Sequence, residues 1–510
     1  MPKLEETVII PNAASCRDHM DEINSYLLDE VAARRMSGPF SQQGAKDILG
    51  GPFFSSPLLV VLQSQGPGLK DKIRICRHLS KGSKYANLVN SHIVKEDFPT
   101  RFDLASRVAD IVASAPPGTQ ACALDIEKFH RTCPVLPSHK CWLVTQGLPG
   151  EFFMDHVRPF GCACASSNLG MFANAVVDIW HAKEVLPVLK YEDDIGACCS
   201  PNPLGPFKQG DFSYTYDRDL LVSHVASLGV PWHPEKGDDV FREAFTFIGF
   251  LWNLPNKTVS LPEAKRLKFL HRVSEFLANY KSRQCPLIEV EKIHGSLCHV
   301  AFVYRDGCSR LPSLSNFATT LQGNRLIKRY PPPSAILDSK WWQERLSTPG
   351  FLRDLNLSLS PVDIGLYVNA CTSWGIGILW EGRWMAFRLS PDWKTEGRHI
   401  GWLETLAIEL AAYLVCSRGL RNTHLLFHSD NQGTIGSVTK GRCRNTHINN
   451  SVRRTFDVLV PASVDVTLTY VESASNLADP ISHGILGLSG DHIPLSFPLP
   501  SELVSVLSYV

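Results

Sequence analysis

Apolar residues in the first 35 positions recur as Met20, Ile23, Leu27, Leu28 and Val31, a spacing of three and four that predicts an amphipathic helix before Gly38-Pro39. Residues 50–62, GGPFFSSPLLVVL, predict a turn and then a strand. The basic stretch that follows carries Ile73, Ile75 and Leu79 and reads as a half-buried strand with charge on its outer face. A helix is predicted over 98–115, opened by Pro99-Thr100 and closed by Pro116-Pro117-Gly118. Two apolar β-type segments come next, 121–124 ending at Asp125 and 185–189 running into Tyr191. Residues 201–218, polar and carrying Pro, Gly and Asp, predict an inserted loop. Residues 245–252 and 258–261, split by Pro255-Asn256, predict a hairpin, and 263–281 a basic helix.

Pro331-Pro332-Pro333-Ser334 reads as a linker or rigid turn, and the pattern changes near residue 360. From there the predicted order is strands 362–369, 374–381 and 383–389, helix 399–417, strand 423–429, helices 431–438 and 446–458, and strand 464–471. Three hairpin strands followed by alternating helix and strand indicate a mixed α/β domain. No internal repeat or low-complexity tract interrupts the chain.

With 510 residues, 44% hydrophobic and 20% charged, the chain is long enough for about three domains and shows no sign of bulk disorder. The net charge of +1 gives no whole-chain signal for nucleic acid, so local clustering matters more. Lys70, Lys72, Arg74, Arg77, Lys81 and Lys84 fall in one stretch, and Lys265, Arg266, Lys268, Arg272, Lys281 and Arg283 in another. Either run alone is equally well a solvated face, but two runs flanking an acidic site suit a phosphate-backbone channel. The 15 cysteines are odd in number and lack framework spacing; Cys162-Ala163-Cys164 and Cys198-Cys199 match no zinc pattern. They are expected to be reduced thiols in an intracellular, cytoplasmic or nuclear protein that is not secreted. Glu5 and Glu6 argue against a signal peptide. The uncharged run from Pro159 to Val177 contains Ser166, Ser167, Asn168, Gly170 and Asn174, which points to a buried core segment and no membrane partner.

The densest chemical signal is Tyr191-Glu192-Asp193-Asp194, set between two apolar strand-like flanks and so at a hairpin tip, with Pro187 limiting pairing at its own position. Acidic pairs in surface turns are common. Adjacent carboxylates repel, however, and a divalent cation reverses that penalty. Phosphoryl transfer to a 3′-hydroxyl uses two metals about 3.5–4 Å apart, which calls for a third carboxylate on a neighbouring strand. Asp125 is the candidate, with Mg²⁺ suited to all-oxygen ligands and Mn²⁺ as the alternative.

Taken in order, Asp125-Ile126-Glu127-Lys128-Phe129-His130 with Pro134, then Pro159-Phe160-Gly161, then Tyr191 to Asp194, then Phe247-Ile248-Gly249-Phe250 resemble the motifs of a retroelement reverse transcriptase. The likeness spans roughly residues 36–285 and is similar in flavour to LTR/DIRS-like, tyrosine-recombinase retrotransposons. It implies an α/β and α+β multidomain chain, a right-hand polymerase of fingers, palm and thumb followed by a ribonuclease H-like mixed α/β domain. The implied division is a helical extension over 1–35, fingers and palm over 36–262, thumb and connection over 263–360, the ribonuclease H-like domain over 361–490 and a tail over 491–510. The implied activity is RNA-directed DNA polymerisation, with RNA template, DNA primer and deoxynucleoside triphosphates as partners. By the same resemblance Asp125, Asp193 and Asp194 hold the metals, and Arg74, with Lys72 as second choice, grips the triphosphate. Pro159, Phe160 and Gly161 contact template and nucleotide, Lys236 lies near the pyrophosphate, and Phe247 to Phe250 grips the primer. One departure bears on sugar selection: the family's aromatic five residues after the first aspartate is His130 here, with Phe129 before it.

Glu404 in GWLETLAIELAAYLV, Asp430 ending THLLFHSD and Asp479 in Ser475-Asn476-Leu477-Ala478-Asp479-Pro480 resemble, with the three strands before them, the ribonuclease H family over roughly 362–485. That family's first carboxylate stands on strand one, where this chain has Asn369. An uncharged amide leaves two cations with one fewer anion, so hybrid cleavage is expected to be absent or severely weakened. Asp363 lies six residues upstream, about 20 Å along a strand, and Glu409 is about 140° around the helix from Glu404; neither is expected to substitute. Two further readings are a decayed or repurposed retroelement protein that binds nucleic acid without catalysis, and a template-independent nucleotidyltransferase. No protease, zinc knuckle, integrase or recombinase is recognisable, and oligomeric state is not legible.

Overall fold

The computed structural model describes residues 1–63, 65–66, 68–81, 88–163, 165–355, 360–394 and 397–510. Lys84 and Cys164 lie outside the described residues. The chain is a mixed α/β protein of two compact units, Met1–Val108 with Pro116–Ile248, and Ala109–Ala115 with Gly249–Val510.

In the first unit, helix α1 (Met20–Ala32) buries Ile23 and Leu27, as its apolar spacing requires. Strands β1 (Leu58–Gln63) and β2 (Lys72–Arg77) form an antiparallel hairpin. The centre of the unit is a four-stranded sheet. β3 (Gln120–Ile126), buried along nearly its whole length, lies between β6 (Asp194–Cys199) and β7 (Trp232–Gly237), and β4 is a short neighbouring strand (Phe152–Asp155) of a separate five-stranded sheet. β5 (Val188–Tyr191) closes the far edge beside β6, starting only after Pro187. Helix α2 (Ala165–Ala182) covers this sheet, packing Leu169, Ala173, Val176 and Trp180 against Leu124, Ile126 and Ile195. The uncharged run over Pro159–Val177 is thus largely a core helix.

Two expectations fail here because segments distant in sequence supply the partners. The helix expected from residue 98 begins at Ala105. Residues just before it dock on β5 instead: the Asp103 backbone N–H donates to the Lys190 carbonyl at 2.8 Å, and its carboxylate accepts from the Lys190 N–H at 2.7 Å. The loop expected over 201–218 folds a small hairpin, Phe207–Gln209 with Phe212–Tyr214, anchored where the Tyr214 hydroxyl donates to the Gly118 carbonyl at 2.8 Å.

In the second unit, α3 (Glu263–Tyr280) packs against α4 (Pro333–Ser347). The triple-proline segment is therefore not a linker: Pro332 caps α4 and Pro333 opens it, where a missing N–H costs nothing. The remainder is a six-stranded sheet built from β8 (Val362–Ala370), β9 (Gly375–Trp380), β10 (Arg383–Leu389), β11 (Thr423–Ser429), β12 (Val464–Tyr470) and β13 (Leu507–Tyr509), in the order β12-β11-β8-β9-β10-β13. β8, β11 and β12 run parallel; β9, β10 and β13 continue antiparallel. Helix α5 (Ile400–Ser417) is long and apolar enough to cross a membrane by length and composition, yet it is 78% buried as the core helix of this domain. The C-terminal residues are not a loose tail, because β13 pairs with β10 and the Tyr509 hydroxyl donates to the Ile493 carbonyl at 2.7 Å.

Candidate polymerase and ribonuclease H-like sites

β5 and β6 are joined by a two-residue turn, Glu192-Asp193, in which Glu192 takes φ +50°. Asp194 is already the first residue of β6, and it stands directly opposite Asp125 of β3. The Ile126 N–H donates to the Asp193 carbonyl at 3.3 Å. Asp125 and Asp194 therefore form a non-hydrogen-bonded pair, the kind in which Cα atoms approach to about 4.5 Å with side chains on one face. Asp193 immediately precedes Asp194, in the turn that leads into β6. Burial, joined by the Asp125 and Glu192 charges, pushes its carboxyl above the ordinary range. Lys236 of β7 reaches Asp125 Oδ1 at 3.5 Å.

A donor set of hard carboxylates that oppose one another's ionisation fits Mg²⁺ or Mn²⁺. The convergence is incomplete: among the described residues no three His, Cys, Asp or Glu side chains are drawn together tightly enough to hold a metal ion. The strand register makes Asp125 and Asp194 neighbours.

Beside them, the chain turns through Lys128 at φ +49° into a short helix, Phe129–Arg131. Phe129 is buried in the core under α2. The His130 ring meets Phe160 edge-on at 5.2 Å, and burial lowers its basicity despite the nearby Glu192 and Asp193. Pro159-Phe160-Gly161 abuts β2, with the Arg77 N–H donating to the Phe160 carbonyl at 3.3 Å. Gly161 has φ +102°, and a Cβ there would overlap the Arg77 carbonyl oxygen. Asn90 fastens the same segment, its Nδ2 donating to the Gly161 carbonyl at 2.9 Å and its Oδ1 accepting from the Ala163 N–H at 2.9 Å. Lys72 and Arg74 are exposed at alternate positions on one face of β2, and Arg74 Nε donates to Gln63 Oε1 at 3.0 Å. Further along, Phe247 to Phe250 is no continuous strand; Ile248 and Gly249 take φ of +46° and +74°, so the chain turns tightly there.

The basic runs are less free than their sequence suggests. Arg77 is 3% exposed and ion-paired with Asp155 of β4 at 3.2 Å. Arg266 is also buried, paired with Glu263 at 2.6 Å and hydrogen-bonded to the Leu346 carbonyl. Arg272 is bonded to Ser296. These arginines serve the fold instead of a solvent channel.

Sequence reasoning missed the partners of Arg77. Arg131 Nη2 bridges Glu30 Oε2 at 2.8 Å and Asp155 Oδ1 at 2.7 Å, and Arg35 closes on Glu30 at 2.8 Å. The five residues are scattered over 125 positions and follow no period, so only Arg131, directly after His130, lay near a recognised motif.

In the second unit, β8, α5, β11 and the Asp479–Ser482 turn bring Asn369, Glu404, Asp430 and Asp479 together. Asn369 Nδ2 donates to Asp479 Oδ1 at 2.7 Å, and its Oδ1 accepts from the Ala370 N–H at 2.8 Å. That N–H also reaches Glu404 Oε1 at 3.4 Å. Burial, then the charges of Asp430 and Asp479, push the Glu404 carboxyl up to about 8. Ser473 Oγ donates to Asp430 Oδ2 at 2.6 Å. Glu409 points elsewhere, into a pair with Arg454 at 2.6 Å and a bond from Ser451 Oγ at 2.6 Å. Asp363 pairs with His428 at 3.0 Å.

No protein-family model and no curated protein matches the chain. Among solved structures it is similar to the foamy viral protease-reverse transcriptase dRH in complex with ds DNA, with a TM-score of 0.47 and 12% identity over 92% of this chain and 72% of that one. It is similar also to the foamy viral protease-reverse transcriptase in complex with RNA/DNA hybrid, with a TM-score of 0.49 and 12% identity over 97% of this chain and 58% of that one.

Proposed function

We propose that this chain is the RNA-directed DNA polymerase of an LTR/DIRS-like retroelement, with fingers and palm over 36–262, thumb and connection over 263–360, and a ribonuclease H-like domain behind them whose cleavage is impaired. The observation that carries this reading is the register of β3 against β6, which sets Asp125 opposite Asp194 with Asp193 at the adjoining turn. Those three side chains would hold Mg²⁺, or Mn²⁺, which when bound supplies the charge that activates a 3′-hydroxyl and steadies the leaving pyrophosphate. Arg74 and Lys72, exposed on one face of β2, grip the triphosphate; Pro159, Phe160 and Gly161 offer a close backbone approach for template and nucleotide. His130 against Phe160 borders the sugar, with buried Phe129 fixing the segment from behind. RNA template, DNA primer and deoxynucleoside triphosphates are the partners.

Asn369 supports a binding role for the second domain. One of its amide hydrogens occupies Asp479, so a cation there would meet an N–H donor where a fourth oxygen anion is needed. Addition of deoxynucleotides to a primer on an RNA template, lost in Asp193→Asn, is the test.

The second reading, nucleic-acid binding without catalysis, is favoured by the same Asn369 bond and by the unconverged carboxylates. Salt-sensitive binding with no extension would select it.

A further inference from the structure

We propose that a cavity behind the segment following Asp125 binds a small organic anion with an apolar body. The cavity, of about 480 Å³, lies within the first unit and is large enough for a small-molecule ligand. Leu169 and Phe172 of α2 form one wall, and Leu228 and Pro231 form another. Arg35 and Lys128 supply cationic heads at its polar side.

The charge balance of the surroundings points to an anion. Among the described residues Arg35, Arg77 and Arg131 are ion-paired with two carboxylates, Glu30 and Asp155, so the network carries one surplus positive charge, and Arg35 is its partly exposed member. Arg131 is already engaged: its Nε donates to Glu30 at 2.9 Å, its Nη2 is ion-paired with Glu30 and Asp155, and its Nη1 donates to the Val157 and Arg158 carbonyls at 3.3 and 3.2 Å. Arg35 engages Glu30 through Nε and Nη2, and among the described residues its Nη1 has no hydrogen bond, which leaves it for a ligand. Glu127 at the same rim acts on Arg35 through its charge, and exposed Lys128 offsets it. The surplus therefore persists, next to an apolar space.

A carboxylate, sulfonate or phosphate monoester meeting Arg35 and Lys128, with an aromatic or aliphatic body against Phe172 and Leu228, satisfies both halves of the cavity. The site also touches the polymerase segment mechanically. Its wall includes Glu127, Lys128 and Arg131 to Pro134, stitched down where the Glu127 N–H donates to the Pro231 carbonyl at 2.7 Å.

Calorimetric titration of the full chain with naphthoate, neutral naphthamide and inorganic phosphate tests this independently of any polymerase activity. Naphthoate should bind at one site at least about tenfold more tightly than naphthamide, the scale of a charge-assisted hydrogen bond, and inorganic phosphate should not displace it. Lys128→Gln, at an exposed position, should narrow that ratio. Leu228→Trp, which fills the cavity, should abolish naphthoate binding without lowering the melting temperature. Equal affinity for acid and amide, displacement by inorganic phosphate, no naphthoate binding at millimolar concentration, or an unchanged ratio in Lys128→Gln would overturn the proposal.

Discussion

Asn369 Nδ2 donates to Asp479 Oδ1 at 2.7 Å, so an amide hydrogen occupies a carboxylate that the ribonuclease H resemblance assigns to a cation. Replacing Asn369 by aspartate removes the donor and puts two carboxylates in contact. We expect Asn369→Asp to lose about 1–3 kcal/mol without divalent cation and to regain part of it with Mg²⁺, as read by denaturation in chelator and in Mg²⁺. Cleavage of an RNA–DNA hybrid should rise in the same variant; no rise would mean the site is broken elsewhere too.

The Glu404 carboxyl, held up to about 8 by burial and by Asp430 and Asp479, binds its proton more tightly folded than unfolded, where its value is the ordinary 4.5. Its contribution to stability is fully present below pH 4.5 and is lost as pH rises towards 8. In chelator, the wild-type chain should therefore lose more stability across that interval than Glu404→Gln does. Parallel pH profiles for the two would contradict this.

Asp155 serves Arg77 and Arg131 together. Asp155→Asn leaves three guanidinium groups with one carboxylate and should cost about 3–5 kcal/mol in chemical denaturation, the scale of a broken buried pair. A cost below about 1 kcal/mol, typical of a surface pair, would show the network to be open to solvent.

Gly161 has no room for a Cβ under the Arg77 carbonyl oxygen. Gly161→Ala should push Phe160 away from His130 and lower primer extension by about a hundredfold, as small displacements near a reacting centre do, while the melting temperature of the second unit is unchanged.

What could be read beforehand follows from how local each signal is. The sheet of the second unit lay within a residue or two of expectation because β8 to β12 alternate or run apolar between clear turns such as Glu381-Gly382. The placement of Asp125 and the Asp193-Asp194 pair at the ends of neighbouring strands was legible because each lies at or beside the end of an apolar strand. The late start of the 105–114 helix was not, since Asp103 is claimed by the Lys190 backbone, a partner 87 positions away. Arg77 and Arg266 looked like surface cations for the same reason: distant segments bring the Asp155 carboxylate to Arg77 and the Leu346 carbonyl to Arg266. The Pro332-Pro333 pair is ambiguous by nature, as proline both breaks chains and opens helices.

The most direct test of the central claim is primer extension on an RNA template in Mg²⁺, comparing wild type with Asp125→Asn and Asp193→Asn at matched folding. Templated deoxynucleotide addition by the wild-type chain should be lost in both variants. Extension that survives in either variant, or a wild-type chain that binds primer–template without extending it, would contradict the account.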